Sequence, residues 1–398
     1  MSIPEIADDF YQIDDAIRTG YAWSYGPFEI WDNLGIQEAA EMIKSCGEEV
    51  PSWINDMVNS GANSFYIFED GKKKFYDINT KKYKNVPSSE NHYILDAFRE
   101  NKQILKNPEC TVHDIGDGVM CIEFQTKGNS IGEGIAKGIN EAIDIAERDG
   151  WNGIVIGNND KQFSVGANLM NMGMMAMQKN FDAIEEFLVG FQKILMRMRT
   201  CNVPVVSATH GFVMGGGLEV SIHCDAGIFA SESYIGLPEA GIGLLPAGGG
   251  TKEMAMRASN SFKTGDVKMP TLIEHFRSIA TATVATSAHE AFDINYLQAT
   301  RDTVCMNQMR NIAMAKEKAL QLSVGYIPPS LNQHVEVLGR AGLSTLYSAI
   351  NEFKLGGYMS DYDVEVSSKI AYPGIELSLI HISEPTRRYA ISYAVFCL

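Results

Sequence analysis

Three consecutive glycines, Gly215–Gly217, with Glu219 close behind them, are the residues whose types and spacing best suit chemistry in this chain. The segment from Val203 to Asp225 reads VPVVSATHGFVMGGGLEVSIHCD. It predicts an apolar strand, a glycine turn, and a helix opened by the triplet. The first turn of a helix leaves N–H groups without intrahelical partners and carries a partial positive charge, so it favours a developing oxyanion. Gly215 and Gly216 have no side chains to keep a carbonyl oxygen away from that backbone. Glu219, three residues after Gly216, falls on the same helix face as the Gly216 N–H. Taken alone, the segment also fits a tight strand–helix turn with a solvent-facing glutamate.

Two further segments make the first more informative. Lys161 to Leu169, KQFSVGANL, contains a Gly166-Ala167 turn that can supply a second backbone donor. Two N–H groups from separate loops would form an oxyanion hole, and one such donor is typically worth roughly 2.7–4 kcal/mol. Tyr234 to Thr251, YIGLPEAGIGLLPAGGGT, carries Glu239 directly after Pro238 in a glycine-rich loop. Two glutamates around one water can divide general-base and general-acid work. That requires environments that separate their pKa values. Each of these loops, read singly, is an ordinary turn.

The elements that must position these residues follow from periodicity. Val119 to Phe124, Ile154 to Ile156, Val203 to Ala208 and Ala226 to Ala230 read as strands. Ile131, Ile135, Ile139, Ala142, Ile143 and Ala146 share one face of a helix that stops at Gly150. Ile184, Phe187, Leu188, Phe191, Ile194, Leu195 and Met198 mark a second. Alternating strands and helices predict an α/β architecture from Thr111, turning mainly helical beyond about Phe262. Ahead of it, Ile36 to Cys46 and Trp53 to Val58 predict short helices. Phe65–Phe68 and Lys74–Tyr76 flank Asp70-Gly71 as a hairpin, with Lys72–Lys74 as its solvated turn. Residues 83–110 read as a linker.

Composition narrows the function classes. A length of 398 residues suggests two or three domains. With 45% hydrophobic residues the chain can bury a core, yet it has no apolar run long enough to span a membrane. A net charge of −16 argues against nucleic acid as a partner. The seven scattered cysteines have neither metal-ligand nor redox spacing, and the N-terminus lacks a signal-like apolar region. These features point to a soluble, cytoplasmic protein. His223 and Cys224 are adjacent on a helix and diverge, so no metal site is expected there. Met170, Met172, Met174, Met175 and Met177 could line a flexible apolar pocket or simply fill gaps.

The three segments, in this order and spacing, resemble the crotonase (enoyl-CoA hydratase/isomerase) superfamily over about Thr111 to Pro329. The pattern is a phenylalanine–small–glycine–small loop, a glycine triplet followed by Glu, and Pro-Glu ahead of a Gly-Gly-Thr turn. The resemblance implies a repeated ββα core with a helical C-terminal part. It implies an oxyanion hole from the Ala167 and Gly216 N–H groups, with Gly166, Gly215 and Pro238 also lining the acyl-CoA site. Glu219 and Glu239 would hold the water that adds to a 2-enoyl-CoA in β-oxidation, Glu219 activating it and Glu239 giving the proton. Both carboxylates fit a hydratase, whereas isomerase members often keep one; isomerisation and a non-catalytic role in assembly remain the alternatives. Asn168 stands where hydratases usually have Asp, and His210 where Asn often precedes the turn. No metal or redox cofactor is implied, since CoA arrives with the substrate, and a homo-oligomer is implied for the intact protein. Lys161 or Lys252 could meet the CoA phosphates.

The N-terminal part carries its own resemblance. Ile13 to Gly35 and Trp53 to Tyr66 look like the C-terminal helical domain of 3-hydroxyacyl-CoA dehydrogenase, with Gly26, Pro27, Phe28 and Trp31 matching its signature. That implies a small, mainly helical domain with a hairpin at 1–82 and a crotonase-like domain at 111–376. No strand is followed by Gly-x-Gly-x-x-Gly, so no NAD site is expected, and the chain reads as truncated at both ends. Residues 377–398, from LSLIHISEPTR onward, resemble a translated sequencing adapter and are set aside as an artefact.

Overall fold

Aromatic side chains from three short helices and a small sheet meet around Phe10 in the first of two units of this computed structural model. It describes residues 3, 5–21, 23–69, 72–87, 89, 91–99, 102–330 and 335–372. The units are Met1–Glu100 and Asn101–Leu398. The tail read as an artefact, and with it Cys397, lies outside the described residues, as does the Asp70-Gly71 turn.

The first unit contains α1 (Phe10–Tyr21), α2 (Pro27–Leu34), α3 (Ile36–Ser45), α4 (Ser52–Asn59) and antiparallel β1 (Tyr66–Glu69), β2 (Lys72–Asp77) and β3 (Lys82–Asn85). Phe10 lies 5.0 Å from Phe28 and 5.3 Å from Phe65, ring centre to ring centre. The Asp14 carboxylate accepts from the N–H groups of Phe28 and Glu29 at the start of α2, and from the Tyr66 hydroxyl. A side chain at Gly26 would run into Asp14, 2.3 Å away, which accounts for the glycine before Pro27. Two expectations are corrected here. Lys72–Lys74 is not a solvated turn but the start of β2, and Lys73 pairs with Glu29 over the face of Tyr66. The stretch 83–110 is not a plain linker, because β3 completes the small sheet and β4 (Gln103–Lys106) joins the next one.

In the second unit, β5 (Cys110–Asp114), β6 (Val119–Phe124), β7 (Gly153–Gly157), β8 (Val205–Thr209), β10 (Ala226–Ala230) and β13 (Thr303–Cys305) join β4 in a seven-stranded sheet. Its order is β13-β10-β8-β7-β6-β5-β4, parallel from β6 to β13. Parallel strands buried on both faces read as continuous apolar runs, and β6, β7, β8 and β10 are buried throughout. Between β6 and β7, α5 (Glu133–Asp149) packs the expected stripe inward and ends on a left-handed Gly150. Ile131 is not part of that helix. It bridges Ala167 instead.

A second, small sheet contains β9 (Phe212–Met214), β11 (Tyr234–Gly236) and β12 (Val284–Ala285), and Ser164 bridges to Val213 beside it. The chain therefore repeats one step three times: large-sheet strand, short small-sheet stretch, helix. The helices are α6 (Leu169–Met177), α8 (Gly216–His223) and α9 (Gly250–Ser261). The long α7 (Phe181–Thr200) follows α6. The rest is mainly helical: α10 (Lys268–Ala280), α11 (Ala288–Asp293), α12 (Asn311–Ser323), α13 (Gly339–Leu355) and α14 (Asp361–Ala371). Among the described residues no helix is long and apolar enough to cross a membrane.

Candidate active site

Where the small sheet meets the helix starts, two peptide N–H groups are left over. In a parallel bridge the flanking residues make the hydrogen bonds, and here Ile131 N donates to Gly166 O while Asn168 N donates to Ile131 O. The Ala167 N–H between them points the other way. Gly216 opens α8, so its N–H has no carbonyl one turn back to meet. Neither amide donates in the backbone network of the described residues. A methyl group on Gly216 would lie 3.2 Å from Ala167 N, and one on Gly166 would lie 3.2 Å from Gly216 N. The two donors therefore border one space. The loop is zipped into place, with Ser164 N donating to Phe212 O and Met214 N to Ser164 O.

Glu219 and Glu239 reach the same region from different elements. Glu219 is buried on the first turn of α8, and its Oε1 accepts from Gly250 N at 2.7 Å. Burial raises its pKa to about 7, opposed by the Gly250, Gly249 and Gly248 N–H groups and by Lys252. Glu239 follows β11, whose Gly236 carbonyl accepts from Gly215 N and so ties that strand to the glycine triplet. A Cβ on Gly215 would sit 2.8 Å from Glu239 Oε1. Glu239 Oε2 is buried with no hydrogen-bond partner among the described residues. Burial, then repulsion from Glu219, holds its pKa well above the carboxylate range. One carboxylate is gripped by several amides that favour charge, and the other has only its own backbone N–H to do so. That is how one neutral and one ionised acid can coexist at neutral pH.

Pro238 begins the short 3-10 turn that carries Glu239. Behind Glu219, His223 Nδ1 donates to the Glu219 carbonyl at 2.7 Å, which leaves Nε2 to accept from Lys252 Nζ at 2.9 Å. Burial holds His223 neutral. Lys252, a candidate for the CoA phosphates, is instead spent inside on His223 and Glu253, while Lys161 is exposed. Asn168 caps α6, accepting from Asn171 N, and His210 Nε2 donates to Asp160 O. Sequence reading missed the grip of Gly248–Gly250 on Glu219, although a second glycine triplet was a usable signal. Among the described cysteines only Cys46 is exposed, and burial pushes the Cys110 thiol up to about 11.

Comparison with known proteins bears on the family and the fold. Residues 114–266 match the family described as enoyl-CoA hydratase/isomerase. A probable 3-hydroxyacyl-CoA dehydrogenase of Bacillus subtilis (strain 168) is 37% identical over 370 residues, 92% of this chain and 46% of the relative. A putative fatty acid oxidation complex trifunctional enzyme of Rickettsia felis is 26% identical over 324 residues, 81% of this chain and 40% of the relative. A crotonyl-CoA hydratase of Syntrophomonas wolfei subsp. wolfei is 37% identical over 103 residues, 25% of this chain and 37% of the relative. The chain thus spans less than half the length of these relatives. With the repeated ββα step, the family match gives the second unit a crotonase-type fold.

Proposed function

We propose, for a chain that carries an enoyl-CoA hydratase/isomerase domain of the crotonase superfamily, that it adds water across the double bond of a 2-enoyl-CoA. The thioester oxygen would accept from Ala167 and Gly216 N–H, which stabilise the negative charge that develops as water attacks C3. Ionised Glu219 would take the proton of that water, and neutral Glu239 would deliver one to C2. The product is a 3-hydroxyacyl-CoA, with H and OH added and no change at a metal or redox centre. The observation that carries this reading is the split between the two buried carboxylates, one held by the Gly250 amide and one whose Oε2 has no partner among the described residues. A single-acid site would suit isomerisation better.

In the same reading, residues 1–82 correspond to the helical C-terminal domain of a 3-hydroxyacyl-CoA dehydrogenase and residues 111–376 to the hydratase. The names of the Bacillus and Rickettsia relatives support a place in fatty-acid oxidation within a longer, homo-oligomeric protein. NAD chemistry would belong to a domain outside this chain.

The test is to supply crotonyl-CoA and, separately, a 3-enoyl-CoA, and to follow the conjugated thioester spectroscopically. Loss of the conjugated substrate supports hydration; appearance of conjugated product with no hydration overturns it. The pH profile is a second check. Glu219 must be ionised, so kcat/KM should fall as pH drops through about 7. Glu239 must be protonated, so activity should fall again on the alkaline side, where it ionises. A profile flat from pH 5 to 8 would remove the assigned roles.

A further inference from the structure

We propose that a pocket at the C-terminal end of α8 binds a small oxyanion, phosphate or carboxylate, through Arg257. The pocket has a volume of about 190 Å³, and Arg199, Arg257, Arg301, Glu253, Asp225 and Asn260 are among its walls. One water takes roughly 30 Å³ in the liquid, so an oxyanion with some hydration fits.

Two of the three arginines are already employed. Arg199 Nη2 donates to Glu253 Oε2 at 2.7 Å and to Ile222 O at 3.1 Å. Arg301 donates to Ile222 O, Cys224 O and Ser221 O, and its Nε to Asp302 Oδ1 at 2.9 Å. Together they cover carbonyls at the end of α8 and have their own counter-ions.

Arg257 differs. It is 5% exposed and donates through Nη1 to Tyr296 O, yet its buried Nε has no partner among the described residues. Among the described residues no carboxylate lies within 4.0 Å of it. The carboxylates in the wall are committed elsewhere: Glu253 to Arg199 and Lys252, Asp225 to Val205 N and the Tyr326 hydroxyl. Glu253 and Asp302 act on Arg257 only from beyond ion-pair distance, each being bound to another cation. A buried charge with no counter-ion in contact is costly, and burial beside Arg301 pulls the Arg257 pKa down only to about 10, so it stays charged at neutral pH. A guanidinium fork presents paired donors matched to phosphate and carboxylate oxygens.

This site is separate from the proposed oxyanion hole. Gly216 and the pocket lie at opposite ends of an eight-residue helix, about 12 Å long at 1.5 Å per residue. The inference therefore stands apart from the hydratase reading.

The experiment is thermal unfolding and titration calorimetry of the full chain, with sodium phosphate, sodium acetate and sodium chloride at matched ionic strength. Phosphate or acetate should raise Tm saturably above chloride, with one site per chain, and whichever acts at lower concentration identifies the occupant's class. Arg257→Met should abolish the rise. Asn260→Asp, which puts a negative charge at the exposed rim, should weaken binding at least tenfold while leaving the guanidinium in place. No saturable rise in the wild type, or an equal rise in Arg257→Met, overturns the proposal. If Arg257→Met does not fold, unchanged affinity in Asn260→Asp overturns it.

Discussion

Replacing Glu239 with Gln is expected to lower kcat for crotonyl-CoA hydration by about 10²–10⁴, the usual worth of a positioned general acid or base, with KM little changed. The amide is nearly isosteric and can donate a hydrogen bond, but it cannot transfer a proton to C2. Because Glu239 Oε2 has no partner among the described residues, no native hydrogen bond from that atom is lost and the fold should persist. Glu219→Gln should cost activity on the same scale for a different reason. Its Oε1 can still accept from Gly250 N, so the loop stays docked, but the group can no longer take a proton from water. Steady-state kinetics with circular dichroism on each variant would settle the matter. Turnover within tenfold of the wild type in either, with the fold intact, would refute the role given to that residue.

Gly215→Ala should be nearly as damaging through the backbone. Gly215 has φ 50° and ψ −121°, a conformation a residue with a Cβ adopts only under strain. The new methyl group would also stand 2.8 Å from Glu239 Oε1, so the carboxyl group must move and the Gly216 N–H must tilt. A loss of about 10²–10³ in kcat is expected, comparable to losing one oxyanion-hole donor, alongside about 1–3 kcal/mol of stability. Gly190→Ala is the control. That helical position has open space around it and no positive φ, so activity should hold. Equal kinetics for Gly215→Ala and the wild type would show that the triplet geometry does not matter.

The site was more legible than much of its scaffold. Gly166, Gly215 and Gly216 could be found because close backbone approach and positive φ restrict the residue type locally. The central strands were legible because burial on both faces makes them apolar throughout, and α5 because its inward stripe repeats at the helical period. Three-residue strands such as β9 and β11 carry too few side chains to show a period, yet they hold Glu239 and the loop of Ala167. Lys252 and Lys73 were not legible as partly buried, paired cations, nor Arg257 as a buried one. His223, Glu29 and the Tyr296 carbonyl, which hold them, lie far away in sequence, so only tertiary docking reveals them.

Protonation at Glu219 also ties folding to acidity. Its folded pKa of about 7 lies above an ordinary value near 4.5, so the native chain holds that proton more tightly than the unfolded one. Between those two values each rise in pH favours unfolding, and above them the cost amounts to about 3 kcal/mol. Glu239, also raised, adds a penalty of the same sign. A chain with neutral amides at both positions would thus gain thermal resistance as it lost turnover, so that tolerance of alkali and catalytic power trade against each other at one pair of side chains.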